Sequence, residues 1–127
     1  MKSTLIQELE SSLTAETPAI SPKFFYDEVG SRLFEVITLL NEYYPTRTEK
    51  WIMDVHQSEI ANIIGDCDVL IDLGAGNCAK ASRLFKTIHP KQYRALDISK
   101  EYLAFAVSDL QKQFPQIQMS AHAVDLS

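Results

Sequence analysis

Apolar residues recur every three or four positions through the first half of the chain, then gather into short unbroken runs. Leu5, Ile6, Leu9 and Leu13 share one side of a helix expected over residues 3–13. Thr17-Pro18 and Ser21-Pro22 break it, because the residue before a proline is pushed out of the helical region. Leu33, Phe34, Ile37 and Leu40 give an apolar face to a second helix over residues 26–40, interrupted or kinked near Gly30. Residues 41–45 form a loop. Thr46 and Glu49 then have the Thr-x-x-Glu spacing of a capping box, which opens a third helix through Ile64. Ile52, Val55, Ile60, Ile63 and Ile64 are its expected buried side, and Gly65 its end.

The period changes at Val69. Val69-Leu70-Ile71 is a fully apolar run, the mark of a strand covered on both faces. Gly74-Ala75-Gly76 turns the chain, and Asn77 is placed to cap a helix reaching about Ile88 and stopped by Pro90. A second strand covers residues 93–96 and ends in Asp97; Ser99 caps a helix over residues 100–113, stopped at Phe114-Pro115. A third strand lies within residues 117–124, ending near Asp125. Such β-α-β-α-β alternation builds a parallel sheet with right-handed crossovers. The fold class is therefore α/β: a helical cap over residues 1–66, followed over residues 67–127 by the first part of a doubly wound sheet.

Composition narrows the function. The 127 residues are 46% hydrophobic and 23% charged, the make-up of one ordinary globular domain. A net charge of −5 argues against a nucleic-acid or membrane-surface partner, since both call for a basic footprint. No apolar run approaches the roughly 20 residues of a membrane span. The N-terminal Met1–Leu13 stretch carries acids where a signal peptide would be apolar, so a cytoplasmic protein is expected. Cys67 and Cys78 stand 11 apart, fitting neither a redox pair nor a zinc spacing, and read as buried free thiols. His56, His89 and His122 join no cysteine cluster, so no metal is expected.

In a parallel doubly wound sheet, ligands bind beyond the carboxyl ends of the strands. Asp72-Leu73-Gly74-Ala75-Gly76 follows the first strand, Asp97 the second and Asp125 the third. Gly74 and Gly76 suit a tight turn that a ligand approaches closely. Asp97, 23 residues after Gly74, stands near the spacing at which an acid accepts from ribose hydroxyls. Asp125 is placed to accept from an exocyclic amine such as that of adenine. Taken singly, each has a plainer reading as a turn or a polar strand end. Jointly they form the acceptor set of a nucleoside site.

Two cofactors compete for that site. Gly74-Ala75-Gly76-Asn77-Cys78-Ala79 satisfies a permissive dinucleotide pattern, which admits a nicotinamide-dependent oxidoreductase. S-adenosylmethionine (SAM) instead carries a sulfonium cation that tolerates carboxylates such as Asp72. Lys80 cuts the other way in principle, although a lysine equally pairs with a methionine carboxylate. The acids before the glycine turn and after the third strand favour SAM.

Two further stretches are distinctive: Ser21-Pro22-Lys23-Phe24-Phe25-Tyr26-Asp27-Glu28-Val29-Gly30-Ser31-Arg32-Leu33-Phe34-Glu35, and Ile37 through the Glu42-Tyr43-Tyr44-Pro45-Thr46-Arg47 element to Glu49. With Asp72-Leu73-Gly74-Ala75-Gly76, Asp97-Ile98-Ser99 and Asp125, they resemble the N-terminal portion of the histidine-specific SAM-dependent methyltransferases, over about residues 21–125. The best-known members trimethylate the α-amino group of L-histidine in ergothioneine synthesis. The resemblance implies a Rossmann-like SAM methyltransferase with SAM contacts at Gly74, Lys80, Asp97 and Asp125, Gly76 easing the approach. It also implies that Tyr26 and Tyr43 line the amino-acid pocket. By their own physics these two tyrosines read as partly buried aromatics whose hydroxyls need a partner.

The family pattern is usually more than twice this length, so the chain is expected to be the N-terminal part of the enzyme and inactive alone. The residues that would select histidine are expected outside it, and no general base is nominated within it. A three-strand sheet also leaves the last strand's edge open and covers less core than a complete domain, which predicts self-association or marginal stability. The alternative from another class is a non-catalytic homologue that only binds cofactor or self-associates.

Overall fold

The computed structural model describes residues 4–126. Helix α1 covers Thr4–Leu13 (its expected start at Ser3 lies outside the described residues), and a 3-10 turn covers Pro22–Phe25. Helices α2 (Glu28–Ile37) and α3 (Tyr44–Ile64) complete the helical half. Then follow β1 (Val69–Leu73), α4 (Ala79–Ser82), α5 (Phe85–Ile88), β2 (Gln92–Asp97), α6 (Lys100–Gln113) and β3 (Gln118–Ala123). The three strands are parallel in the order β1-β2-β3, with Val69 beside Gln92 and Gln92 beside Gln118.

One face of the sheet carries the core. Tyr93 and Ala95 of β2 are buried against Phe85, Leu103, Val107 and Leu110, while Arg94 between them is exposed. Phe85 meets Tyr93 and Phe114 edge-on, with ring centroids 5.1 and 5.2 Å apart. Gln111 pins the entry to β3: its Nε2 donates to Ile117 O at 2.8 Å and its Oε1 accepts from Met119 N at 3.1 Å. Among the described residues the opposite face of β1 is left uncovered, which corrects the expectation of a β1 covered on both sides. Register explains it: Leu70 pairs with core-facing Tyr93, whereas Ile71 pairs with exposed Arg94. Val69, Ile71 and Leu73 all remain exposed.

The helical half departs from expectation in similar ways. Ile52, Val55, Ile63 and Ile64 are exposed and only Ile60 is half-buried, so the apolar stripe of α3 is largely uncovered among the described residues. Leu33, Ile37 and Leu40 are likewise exposed. No capping box forms, because the helix cap falls at Tyr43, three residues before Thr46, with Pro45 in the first turn and Thr46 and Glu49 inside the helix. Gly65 does end it, at φ +66° with its N–H donating to Ala61 O.

Helix α2 is not kinked at Gly30, which lies in its first turn. Asp27 Oδ1 accepts from Gly30 N at 2.7 Å as the helix cap. The helix expected over residues 77–88 splits into α4 and α5, joined by tight i→i+3 bonds from Arg83 N and Leu84 N. Asn77 is not the cap expected: Cys78 holds that position before α4, and Asn77 Oδ1 instead accepts from Ala79 N at 3.1 Å one residue further out, while Ser99 is the cap of α6 but makes no side-chain cap bond and is buried. Cys78 is fully buried, but Cys67 only partly so. No helix of the described residues is long and apolar enough to cross a membrane.

Candidate functional site

A cavity of about 770 Å³ opens where the helical half faces the carboxyl ends of the strands. Gly74, Gly76, Lys80, Asp97 and Asp125 line it from the sheet side, and Tyr26 and Tyr43 from the helical side. All seven residues singled out by sequence therefore meet at one space. Its size is that of a small-molecule site.

The glycine turn is built by backbone bonds across the sheet. Gly74 N and Ala75 N both donate to Leu96 O, at 2.9 and 3.0 Å, so the chain leaving β1 folds over the end of β2. Gly74 and Gly76 have φ of +72° and +52°, a region where an L side chain is strained. A Cβ at either would meet nothing within 4 Å, so the turn faces open space, with room for a ligand against its backbone. Asp97 straps this turn: Oδ2 accepts from Gly76 N at 2.9 Å and Oδ1 from Ser99 N at 3.1 Å. Each carboxylate oxygen keeps a further lone pair for ligand hydroxyls.

Asp125 follows β3, where Val124 N donates to Asp97 O at 2.9 Å. Its carboxylate takes the Lys23 ammonium at 3.2 Å, and the same ammonium meets Glu8 at 2.8 Å. Lys23 is held above the ordinary lysine range, first by its hydrogen bond to Glu8 and then by that to Asp125. It lines the cavity and escaped sequence reading, because its partner stands 102 positions away with no local signal. Lys80 is likewise paired, with Glu49 at 2.8 Å, so the Glu49 read as a capping residue instead orients a cavity lysine.

Tyr26 and Tyr43 flank Phe34, with centroids 6.0 and 5.7 Å apart and planes close to perpendicular. Tyr43 is half-buried and Tyr26 exposed, so stacking and cavity lining hold together. Arg47 braces the loop carrying Tyr43: Nη1 donates to Leu40 O at 2.9 Å and Nη2 to Asn41 O at 2.6 Å. The Glu42–Arg47 element thereby has a structural reason. Asp72 does not line the cavity. It accepts from the Tyr93 hydroxyl at 2.9 Å on the core side, so it no longer bears on cofactor choice. Burial pushes the Cys78 thiol and Tyr93 hydroxyl up, so both stay protonated. Glu35, Asn77 and Tyr102 also line the cavity. Tyr102 is pushed up to about 12, first by burial and then by the charge of Glu35.

These features fit a nucleoside-bearing cofactor: a permissive turn facing open space, and carboxylates at the ends of β2 and β3. Comparison with known proteins agrees. Residues 5–126 match the model of a family described as histidine-specific methyltransferases, SAM-dependent. The chain is 35% identical to a histidine N-alpha-methyltransferase of Mycolicibacterium smegmatis over 121 residues, covering 92% of this chain and 37% of the relative. A protein of the same name from Mycobacterium tuberculosis is 31% identical with the same coverage. An ergothioneine biosynthesis protein 1 of Neurospora crassa is 40% identical over 82 residues, which is 61% of this chain and 9% of that protein. The chain thus spans little more than a third of the length of the two bacterial relatives. With a parallel α/β sheet, its glycine turn and a match over nearly its whole length, the chain belongs to the histidine-specific SAM-dependent methyltransferase family.

Proposed function

We propose that this chain supplies the cofactor half-site and the first wall of the amino-acid pocket of a methyltransferase that acts on the α-amino group of L-histidine. The convergence of seven residues on one cavity carries the reading. SAM, when bound, supplies a methyl group already activated by its sulfonium leaving group. The protein then has mainly to orient donor and acceptor and exclude water.

In this reading Gly74 and Gly76 admit the cofactor against the backbone, Asp97 accepts from its ribose hydroxyls and Asp125 from its adenine amine. Lys80 pairs with its carboxylate, having Glu49 as its resting partner. Tyr26 and Tyr43, braced on Phe34, hold the amino acid. Residues 1–66 act as the cap and residues 67–127 as the cofactor-binding part, and the cytoplasm is the compartment implied. No residue of this chain is assigned as general base.

Calorimetric titration with SAM, S-adenosylhomocysteine and NAD tests the cofactor. The two SAM-type ligands are expected to bind and NAD not to. NAD binding in their place sinks the reading, and silence from all three shows that this chain alone holds no formed half-site.

The reading extends to self-association. The outer edges of β1 and β3 pair with no strand among the described residues, and Val69, Ile71 and Leu73 expose apolar surface beside one of them. Light scattering behind size-exclusion chromatography is expected to give a mass above 14.4 kDa, rising with concentration. A concentration-independent monomer counts against it.

A further inference from the structure

We propose that Glu35 is a positioning residue for the cofactor turn, its carboxylate reaching from α2 to the side-chain amide of Asn77 and so tying the helical half to Gly76-Asn77-Cys78. The inference rests on the cofactor reading above and adds a residue that neither motif nor spacing singled out.

The turn is a segment that needs holding. Gly76 and Cys78 have φ of +52° and +61°, so the backbone is left-handed on both sides of Asn77, and at Cys78 this is unfavourable for an L residue. Asp97 secures the sheet side through Gly76 N. Asn77 secures the other side, and both ends of its amide are used: Oδ1 accepts from Ala79 N at 3.1 Å while Nδ2 donates to Glu35 Oε1 at 3.2 Å. Without Glu35 nothing in this network fixes the amide from the helical side.

Glu35 is itself placed with care. It is half-buried, lines the cavity and follows Phe34, the ring on which Tyr26 and Tyr43 rest. Tyr102 of α6, itself buried, lies near enough for the charge of the same carboxylate to help raise its hydroxyl pKa. A carboxylate suits this junction because it is acceptor-only, so its oxygens can only receive the Asn77 amide N–H. Adjacent residues on one helix thus serve the amino-acid side and the cofactor side.

The test is a double-mutant cycle on the full chain with two readouts: amide hydrogen exchange at residues 76–79 in the free protein, and S-adenosylhomocysteine affinity by calorimetry. Glu35→Ala is expected to speed that exchange and weaken binding, each by about tenfold, the scale of one hydrogen bond to a charged group. Asn77→Ala, which also loses the bond from Ala79 N, should do at least as much, and the double variant should be no worse than Asn77→Ala alone, because the Glu35 contact is then already gone. Glu35→Gln, of the same shape and still an acceptor, should lie between and covers the case in which the alanine variant fails to fold. Unchanged exchange at residues 76–79 in both Glu35 variants, or additive effects with Asn77→Ala, would overturn the proposal. Coupled exchange in a chain that binds no S-adenosylhomocysteine would uphold the tie and count against the cofactor reading instead.

Discussion

Asp97→Ala is expected to weaken S-adenosylhomocysteine binding by at least about a hundredfold while leaving a folded chain. Two losses combine. In the proposed site the carboxylate accepts from both ribose hydroxyls, and hydrogen bonds to a charged acceptor contribute roughly 1.5–3 kcal/mol each. The same side chain straps the turn, and its removal strips Gly76 N and Ser99 N of their partners. Free backbone donors beside an open cavity are readily hydrated, so the cost to folding is smaller, on the order of 1 kcal/mol. Asp97→Asn separates the contributions. Its single oxygen can satisfy one backbone N–H, but its amide nitrogen then confronts the other, so binding should fall by an intermediate factor. Calorimetry read alongside circular dichroism makes the measurement. An alanine variant within threefold of the parent would show that Asp97 only straps the turn.

Gly30→Ala is expected to destabilise the protein by about 3 kcal/mol or more, against the usual sign for this substitution in a helix. Alanine ordinarily stabilises a helical glycine site by roughly 0.5–1 kcal/mol, because it removes disorder from the unfolded chain. Here its Cβ would lie 1.7 Å from Phe25 O and 2.8 Å from Phe25 C. Those are backbone atoms, which cannot swing aside as a side chain does. Relief requires the 3-10 turn to lift off the start of α2, and that movement pulls the Asp27 cap from Gly30 N, at present 2.7 Å long. Denaturant melts of the two proteins decide the matter by sign alone. A stabilised alanine variant would mean that the turn is free to move. Because Lys23 sits in that turn and Tyr26 just beyond it, the variant should also lose the ion pair to Asp125.

What the sequence made legible was local. The bounds of α6 follow from Ser99 ahead of it and Phe114-Pro115 behind it, and they agree with the structure. The placing of Asp97 at the end of β2 and of Asp125 just past β3 follows from the alternation of strands and helices, and the parallel sheet puts both on one edge. What stayed hidden was set by contacts distant along the chain. An apolar run at Val69–Ile71 does not say whether one face or two will be covered, and it says nothing of which face Asp72 will join. Glu49 has the spacing of a capping residue, yet the start of α3 at Tyr44 leaves it free to find Lys80. The Lys23–Asp125 and Glu35–Asn77 pairs join elements 102 and 42 positions apart, beyond the reach of any periodic pattern. Arg47 lies between these cases: the motif holding it was visible, but its role as a brace for carbonyls needed coordinates.

The bonds from Asp97 to Gly76 N and Ser99 N also bear on kinetics. Loops that must order around a ligand slow its capture, and the entropy of ordering is then drawn from the binding free energy. Here the left-handed turn is held by bonds within the chain itself. Association should therefore run at the pace of diffusion into an open mouth. Sequence changes along this edge would be felt mainly in how long an occupant stays.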